Sequence, residues 1–253
     1  MTRPKYNATI VKRGELHSGL CFLWIKPDDR PFESFLPGQY VKIGRIISNE
    51  MITRTYSIGS SANKLEALEL FIVLVDDGEF TSRLLGEPEG GRVWLDQQAY
   101  GELTLDNVSD QKDLVLVSTG TGVAPYLSMY RTYHNQPRWR RMVLINGVRH
   151  AADLGYRREL EVVAGTDDAL VYLPIVTRDD PSVWPGLRGR VQSILVEDRF
   201  RDLTGFELSP DECHVFLCGN PGMIDSVEAD LTNRGFAIHS PERSGTLHLE
   251  KYW

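Results

Sequence analysis

The sequence is poor in cysteine, and this limits the metal and redox chemistry that it can support. Its 253 residues include only three cysteines, Cys21, Cys213 and Cys218. Their spacing fits neither a disulfide framework nor a zinc site, and three thiols exclude an iron–sulfur cluster held by four cysteines of this chain. We therefore expect no metal site. Any redox centre must be an organic cofactor or must lie in a partner protein.

The sequence also lacks long apolar runs and an excess of positive charge. No apolar stretch approaches the ~20 residues that span a bilayer, and the first residues are not followed by the apolar segment of a signal peptide. We therefore expect a cytoplasmic protein with no membrane partner. The formal net charge of −7 argues against nucleic acid as a partner. We expect the chain to be a monomer.

The two halves of the sequence differ in their hydrophobic pattern. In the first half, short runs rich in β-forming residues, such as residues 20–25 and 68–75, alternate with turns that contain Gly and Pro. This spacing is typical of an antiparallel sandwich or barrel. In the second half, continuous apolar strands such as residues 113–118 alternate with helical segments, which indicates a parallel sheet. We therefore predict an antiparallel β-barrel in residues 1–108 and an α/β domain with a parallel sheet in residues 109–253.

A glycine-rich turn follows the first apolar strand of the second half. Residues 118–125 read Ser-Thr-Gly-Thr-Gly-Val-Ala-Pro and stand between a strand and a helix. In a doubly wound sheet a ligand binds here, because the glycines let backbone N–H groups approach a pyrophosphate at a helix N-terminus. The expected contacts to a dinucleotide are Thr119, Gly120, Thr121 and Gly122. The alternative is a tight turn that binds nothing.

A second glycine turn follows the apolar strand at residues 214–218. It begins with Cys218 and Gly219 and leads into another helix. Two such turns in one sheet face the same crevice. We expect Gly219 to contact the nucleotide and Cys218 to line its pocket, although a lone buried cysteine is often simply a small apolar residue.

Three motifs, in this order, resemble those of the ferredoxin–NADP reductase superfamily. Residues 54–57 fit the flavin motif R-x-Y-S, residues 119–125 fit the nicotinamide-nucleotide turn, and residues 218–223 fit C-G-x-P-x-M. Residues 149–156 and the aromatic ending at 250–253 are similar to stretches of the bacterial ferredoxin (flavodoxin)–NADP reductases. The resemblance covers most of the chain. It implies an FAD-binding barrel followed by an NADP(H)-binding α/β domain.

The resemblance also implies a set of FAD contacts. Arg54 suits the FAD pyrophosphate, Tyr56 offers a flat face for the flavin ring, and Ser57 can hydrogen-bond near flavin N5. Arg54 and Tyr56 share one face of a strand, although singly they could be a surface ion pair and a core residue. The further expected FAD contacts are Ile72, Val73, Leu74, Gly78, Thr81, Ser82, Tyr252 and Trp253. Thr81 and Ser82 could instead be plain helix caps.

Cations favour NADP(H) over NAD(H), because the 2′-phosphate needs them and NAD sites typically place an acidic residue on the ribose. The resemblance points to Arg149, Arg178 and Arg190, which follow or neighbour strands of the second half. We expect them to converge on the phosphate, although arginines after strands are commonly ordinary surface residues. The adjacent pair Asp179 and Asp180 is a contrary sign and leaves dual specificity open.

The implied activity is hydride transfer between NADP(H) and FAD, with one-electron exchange to ferredoxin or flavodoxin. Ser57, Cys218 and Glu250 are the expected catalytic residues: Cys218 shapes the nicotinamide pocket by packing, and Glu250 supports polarity or proton traffic. Tyr252 and Trp253 would pack on the FAD and gate the nicotinamide. Deleting both residues is then expected to change the rate of flavin reduction by NADPH.

Two basic patches could steer an acidic carrier protein, residues 137–141 and the pair Lys42 and Arg45. Charge runs are usually solvated surface, and this reading is favoured for the first patch. Two competing interpretations of the whole chain remain. One is an NAD(P)H-dependent reductase component of an oxygenase or cytochrome system, and the other is a non-enzymatic flavin-binding subunit.

Overall fold

The chain forms two compact units. The first comprises Met1–Leu105 with Ala124–His134, and the second comprises Asp106–Val123 with Asn135–Trp253. The computed structural model describes residues 5–17, 19–75, 77–106, 108, 111–135 and 138–251. One helical segment from the second half of the sequence therefore belongs to the first unit.

The first unit is a six-stranded antiparallel sheet closed into a barrel. Its strands are β1 (Ala8–His17), β2 (Leu20–Pro27), β3 (Tyr40–Ile47), β4 (Glu50–Ser57), β5 (Leu68–Val73) and β6 (Arg92–Leu95), in the order β4-β3-β6-β1-β2-β5. An antiparallel bridge between Ile58 and Leu70 joins the two edges of the sheet. Alternate apolar side chains fill the interior, among them Ile10, Leu23 and Ile43, which are fully buried.

A tight hairpin sets the register of the strand that carries the first motif. Ser48 and Asn49 link β3 to β4 with φ angles of 49° and 72°. Left-handed conformations at both positions match the twist of a two-residue hairpin. The hairpin pairs Arg54 and Tyr56 with buried residues of β3, so both side chains lie on the same face of the sheet.

Two helices pack on the barrel, α1 (Glu79–Leu85) and α2 (Ala124–Tyr133). Polar contacts hold α2 to the segment that follows β4. Ser128 Oγ donates to the carbonyl of Ser60 at 2.7 Å, and Arg131 Nη1 donates to Glu69 Oε2 at 2.7 Å and to the carbonyl of Gly59 at 2.8 Å. The helix that begins directly after the glycine-rich turn is therefore anchored to the first unit.

The second unit is a six-stranded parallel sheet in the order β10-β9-β8-β7-β11-β12. Its strands are β7 (Lys112–Thr119), β8 (Trp139–Val148), β9 (Leu170–Val176), β10 (Leu187–Arg188), β11 (Cys213–Gly219) and β12 (Leu247–Lys251), and its helices are α3 (Arg157–Ala164), α4 (Glu197–Thr204) and α5 (Pro221–Asn233). The chain moves from β7 to β8 on one side of the sheet and from β11 to β12 on the other. The strand order therefore reverses between β7 and β11, and in open α/β sheets ligands bind beyond the strand carboxyl ends at such a point.

The fold expected from the sequence, a barrel followed by a parallel α/β sheet, is confirmed, but some element boundaries differ. β5 ends at Val73, two residues before the apolar run does. α5 begins at Pro221, directly after the second glycine turn, because Asn220 caps it: Asn220 Oδ1 accepts from the Met223 N–H at 3.2 Å. The sequence pattern does not predict α4 or β12. Among the described residues, no helix is long and apolar enough to cross a membrane.

Candidate functional site

The turns after β7 and β11 touch each other where the strand order reverses. A Cβ on Gly122 would lie 2.4 Å from the Cys218 carbonyl oxygen, and a Cβ on Gly219 would lie 2.4 Å from Thr119 Oγ1. Gly219 also has a φ of 133°, which L side chains rarely adopt. The N–H of Asn220 donates to Thr119 Oγ1 at 2.9 Å and joins the two turns. Glycine is therefore required at both positions for the turns to pack.

Gly120 lies in the same turn but faces open space. Its φ is 55°, and a Cβ built on it would have no heavy atom within 4 Å. The turn continues as a 3₁₀ helix, Gly120–Val123, and then as α2. The first N–H groups of a helix have no partner within the helix, and a bare backbone beside them suits a pyrophosphate. The predicted contacts Thr119, Gly120, Thr121 and Gly122 thus lie together at the carboxyl end of β7.

Cys218 and Glu250 lie opposite each other on β11 and β12. The parallel register pairs them, and Cys218 Sγ is 4.0 Å from Glu250 Oε1. Cys218 is fully buried and Glu250 is half-buried. Cys218 therefore belongs to the packed interior at this strand end, whereas Glu250 is partly accessible to water. The next residue, Lys251, ties the end of β12 to α5 by an ion pair with Asp225 at 2.7 Å. The predicted FAD contacts Tyr252 and Trp253 lie outside the described residues.

Three arginines follow or neighbour adjacent strands on the other side of the switch point. Arg149 directly follows β8. One residue separates Arg178 from the end of β9, and one separates Arg190 from the end of β10. The backbone N–H of Arg178 donates to the Arg149 carbonyl at 2.9 Å, which brings their turns together. All three side chains are exposed, and none has a hydrogen-bond or ion-pair partner among the residues that the structure describes. These guanidinium groups are available for an anion.

The two acidic residues after β9 both accept hydrogen bonds, Asp179 from the turn after β8 and Asp180 from its own turn. Asp179 accepts from the Ala151 N–H and pairs with His150 Nδ1, both at 2.6 Å. Asp180 Oδ1 accepts from the N–H and the hydroxyl of Ser182, both at 3.0 Å. The Ala151 amide and the His150 ring hold the pKa of Asp179 below its usual value, and Ser182 does the same for Asp180. Neither carboxylate is thus set aside for a ribose hydroxyl.

The R-x-Y-S motif in the first unit presents a cation beside an aromatic surface. Arg54 is exposed, its guanidinium carbon lies 5.7 Å from the ring centroid of Phe80, and no carboxylate pairs with it among the described residues. The rings of Tyr56 and Phe80 are 6.4 Å apart and inclined by 24°. Burial raises the pKa of the Tyr56 phenol, so the phenol stays protonated. Ser57 is buried at the end of β4.

The end of β5 and the start of α1 hold the other predicted FAD contacts. Ile72 lies in the barrel core, Val73 is exposed, and Leu74 donates its N–H to the Gly19 carbonyl at 2.8 Å. At the helix start, Thr81 Oγ1 accepts from the Val75 N–H at 3.1 Å, and the hydroxyls of Thr81 and Ser82 donate to the Gly78 carbonyl. Both hydroxyls thus stabilise the turn at Gly78, which leaves backbone N–H groups as the donors for an anion.

The roles of three residues in these sites were not predicted from the sequence. Asn220 caps α5 and binds Thr119, and the signal was an Asn-Pro pair directly after a strand end. Phe80 provides the surface beneath Arg54 and Tyr56. Asp179 connects the arginine turns, and no local pattern shows this because its partners lie 28 and 29 residues away. Among the described residues there is no group of three or more His, Cys, Asp or Glu placed to hold a metal ion.

Comparison with known proteins places this arrangement in a family. Residues 116–229, which contain both glycine turns and the three arginines, match the family model for an oxidoreductase NAD-binding domain. The chain is 32% identical to a ferredoxin–NADP reductase A of Sorangium cellulosum over 90% of this chain and 83% of that protein. It is 31% identical to the flavodoxin/ferredoxin–NADP reductase of Escherichia coli over 88% of this chain and 90% of that protein.

The chain belongs to the ferredoxin/flavodoxin–NADP reductase family. It is therefore an oxidoreductase, as the resemblance of its motifs predicts. Among solved structures, a ferredoxin–NADP reductase of Neisseria gonorrhoeae with bound FAD and NADP is 26% identical, covers 97% of each chain and has a TM-score of 0.87. This likeness extends over both the barrel and the parallel sheet.

The structure distinguishes the two basic patches that could serve a reductase of this family as docking sites. In residues 137–141, Arg140 and Arg141 both form forked pairs with Asp113, whose side chain is fully buried. Burial alone would raise the pKa of Asp113, but the two guanidinium groups outweigh burial and lower it. Arg45 pairs with Glu87. Lys42 has no ion-pair partner among the described residues and lies 4.3 Å from the Tyr100 ring centroid.

Proposed function

We propose that this protein binds FAD and NADP(H), transfers hydride between them and exchanges single electrons with a ferredoxin or a flavodoxin. The observation that carries the proposal is the edge of the second sheet. Two interlocked glycine turns mark the switch point, and the neighbouring turns carry three arginines whose side chains have no partner among the described residues. A bare backbone suits a pyrophosphate, and exposed guanidinium groups suit a terminal phosphate.

The residues of the first unit fit FAD. Arg54 is a cation without a carboxylate partner among the described residues, and it stands beside the stacked rings of Tyr56 and Phe80. This combination suits a pyrophosphate next to a flat ring. Backbone N–H groups after Gly78 and the exposed edge at Val73 would complete the contacts. When bound, FAD supplies the capacity to accept a hydride and to release electrons one at a time.

The chain's own residues orient the reactants and control polarity. Ser57, buried at the end of β4, would donate a hydrogen bond near flavin N5. Cys218 would shape the nicotinamide pocket by packing, and its position between β7 and β12 fixes the thiol in place. Glu250, next to Cys218, would exchange a proton with water because it is only half-buried.

The electron partner and the setting extend beyond the family assignment. The relatives are reductases of ferredoxin or flavodoxin, and we propose one of these small acidic proteins as the carrier. Lys42 is the favoured docking cation, because its charge is not taken up by a carboxylate among the described residues. The cytoplasmic location, the monomeric state and gating by Tyr252 and Trp253 remain predictions.

Rapid-mixing kinetics with NADPH and NADH test the proposed function. The purified protein should be yellow, and NADPH should bleach its absorbance near about 450 nm, where oxidised flavins absorb. We expect kcat/KM for NADPH to exceed that for NADH. The variant Arg149→Gln should lose about tenfold or more in kcat/KM for NADPH, the scale of one hydrogen bond to a charged group.

Arg158→Gln is the matched control, because Arg158 is equally exposed but lies on α3. It should leave the kinetics with both nucleotides unchanged. Equal rates with NADPH and NADH in the unmodified protein would contradict the NADP(H) assignment and favour an NADH-linked reductase. A colourless protein that oxidises neither nucleotide would contradict the proposed function altogether.

A further inference from the structure

Asp179 connects the three turns that carry the unpaired arginines. Its carboxylate accepts from the Ala151 N–H at 2.6 Å and binds His150 Nδ1 at 2.6 Å, directly after Arg149. The preceding residue, Arg178, donates its N–H to the Arg149 carbonyl at 2.9 Å. The turn after β8 is therefore joined to the turn after β9 by one backbone bond and two contacts of a single side chain.

The turn that carries Arg190 is joined to Asp179 through the backbone carbonyl of Asp179. Arg188 Nη2 donates to the Asp179 carbonyl oxygen at 2.5 Å. The N–H of Gly189 donates to the Val176 carbonyl at 3.0 Å, which continues the pairing of β10 with β9. Arg190 follows directly. Asp179 thus contacts the turns of all three arginines, although its own carboxylate pairs with none of them.

The turn after β8 depends on this contact for its shape. His150 precedes a single 3₁₀ turn, Ala151–Asp153, and its N–H donates to Asp153 Oδ2 at 3.0 Å. The N–H of Ala151 is an end group of that turn and has no partner within it. Asp179 provides that partner from the neighbouring strand. Without the carboxylate, the turn beside Arg149 would lose its two side-chain contacts to the segment after β9 and keep only the backbone bond from Arg178.

A carboxylate beside Arg178 is ordinarily a reason to expect NAD(H), because it would repel a 2′-phosphate. Here two donors satisfy the two carboxylate oxygens, and one of the donors is a histidine ring half exposed to water. The adjacent Asp180 is different, because it closes only its own turn, on Ser182. The two neighbouring aspartates therefore have different structural roles.

We propose that Asp179 is a positioning residue for phosphate recognition: it holds the turns of Arg149, Arg178 and Arg190 in the arrangement that binds the 2′-phosphate of NADP(H). The preference for NADP(H) then depends on an acidic residue that does not touch the ligand. This inference rests on the proposed function and identifies what sets the specificity of that site.

Calorimetric titration with 2′-phospho-AMP and with 5′-AMP tests the inference without any turnover. Asp179→Ala should weaken binding of 2′-phospho-AMP by about tenfold, the scale of losing a hydrogen bond to a charged group. It should leave the weaker binding of 5′-AMP nearly unchanged, since only the phosphate cradle is disturbed. The ratio of kcat/KM for NADPH to that for NADH should fall in parallel.

Two further variants distinguish the positioning role of Asp179 from the effect of its negative charge. Asp180→Ala removes an equal charge one residue away and should leave binding of 2′-phospho-AMP unchanged or slightly tighter. Asp179→Asn keeps one oxygen that can accept from the Ala151 N–H, so its affinity should lie between those of the unmodified protein and Asp179→Ala. Flavin content and the thermal midpoint, measured on each variant, identify any loss that is due to unfolding.

Tighter rather than weaker binding of 2′-phospho-AMP by the Asp179 variants would overturn the inference. If Asp179 acts only as a nearby negative charge, then Asp179→Ala, Asp179→Asn and Asp180→Ala will all tighten 2′-phospho-AMP. Unchanged binding in both Asp179 variants would overturn it as well. If the unmodified protein binds both nucleotides equally, the NADP(H) assignment fails first, and this result is distinguishable because it needs no variant.

Discussion

At the scale of single residues, two glycines of one turn have different reasons for being glycine. Gly122 has no room for a side chain, because its Cβ would collide with the Cys218 carbonyl oxygen at 2.4 Å. Gly120 has ample room, since nothing lies within 4 Å of its Cβ position, but its φ of 55° is left-handed. The first glycine is required by the fold. The second leaves the space in which we place the pyrophosphate.

Alanine substitutions should therefore separate folding from binding. Gly122→Ala forces the turns after β7 and β11 apart, and we expect it to lower the free energy of unfolding by several kcal/mol. Gly120→Ala should cost only about 1 kcal/mol, the ordinary cost of a left-handed alanine, yet weaken NADP(H) binding strongly. Urea unfolding and nucleotide titration of both variants check this. A Gly120→Ala protein with unchanged NADP(H) affinity would contradict our placement of the pyrophosphate.

At the scale of elements, α2 is held to the barrel by a largely buried ion pair. Glu69 is 7% exposed and Arg131 is 21% exposed, and their N–O distance is 2.7 Å. Arg131 also donates to the Gly59 carbonyl, two residues after Ser57. Removing one partner leaves a buried charge without compensation, which costs more than the intact pair contributes.

Arg131→Met should therefore destabilise the protein by roughly 3–5 kcal/mol, the range for breaking a buried pair. The double variant Arg131→Met with Glu69→Leu should recover part of this loss, because no buried carboxylate remains. Thermal unfolding followed by flavin fluorescence measures both. Arg83→Met is the control, since its pair with Glu79 is exposed on α1 and should contribute little. Equal losses of stability in the single and double variants would contradict the explanation that an uncompensated buried carboxylate causes the loss.

A second element-scale feature is a pair of buried histidines between β11 and β12. His214 Nδ1 lies 3.0 Å from His248 Nε2, and the His248 ring stacks on Phe216 at 4.2 Å. Burial lowers the pKa of both rings. Lys112 and His239 act in the same direction on His214, and His214 and His239 do so on His248. One ring nitrogen donates to the other, so the pair fits two neutral imidazoles.

The sign of the resulting pH dependence follows from proton binding. Above pH ~6.5, the usual histidine pKa, both rings are neutral in the folded and the unfolded chain and make no difference. Below it, the unfolded chain takes up protons that the folded chain excludes, so stability falls as the pH falls, by up to about 1.4 kcal/mol per pH unit for each ring. His248→Gln should flatten this decline in urea unfolding between about pH 6.5 and 4.5. His134→Gln, at an exposed position, should leave it as steep as before.

At the scale of the whole molecule, the net charge of −7 opposes the approach of an acidic carrier protein. Docking then depends on cations that are not already paired. Arg140 and Arg141 surround the buried Asp113, and Arg45 pairs with Glu87, so most of the charge in both basic patches is neutralised locally. Lys42, by contrast, has no ion-pair partner among the described residues, so its charge is available to a partner.

Lys42→Gln should slow the reduction of ferredoxin or flavodoxin several-fold at low ionic strength and make the rate less sensitive to salt. The NADPH-dependent reduction of ferricyanide, which needs no docked protein, should not change. Arg141→Gln should behave differently: it lowers stability because the buried Asp113 loses one of its two arginine partners, and it has little effect on steering. Carrier reduction that stays independent of salt in the unmodified protein would contradict electrostatic docking at Lys42.

Much of the architecture could be predicted from local patterns, because alternation, turn residues and glycine spacing report on neighbouring residues. The barrel, the parallel sheet, the two glycine turns and the strand with Arg54 and Tyr56 are of this kind. α4 and β12 were not predicted, because no local pattern in their own residues marks them. β12 has five residues, including His248, Glu250 and Lys251, and becomes a strand only by pairing with β11.

Charge partners could not be read from the sequence, since they depend on strand order and register. Arg140 and Arg149 are both arginines on or beside β8, but Arg140 meets Asp113 on the neighbouring strand β7 and Arg149 meets no carboxylate among the described residues. In the sequence, Asp179 resembles the acidic residue that binds the ribose in NAD sites. In the fold, its carboxylate accepts a hydrogen bond from the Ala151 N–H and so joins two turns. The residues themselves therefore specify the elements and the nucleotide chemistry. Which charges remain free to perform that chemistry is settled by long-range packing, because an ion pair forms only where the fold brings distant side chains within a few ångströms.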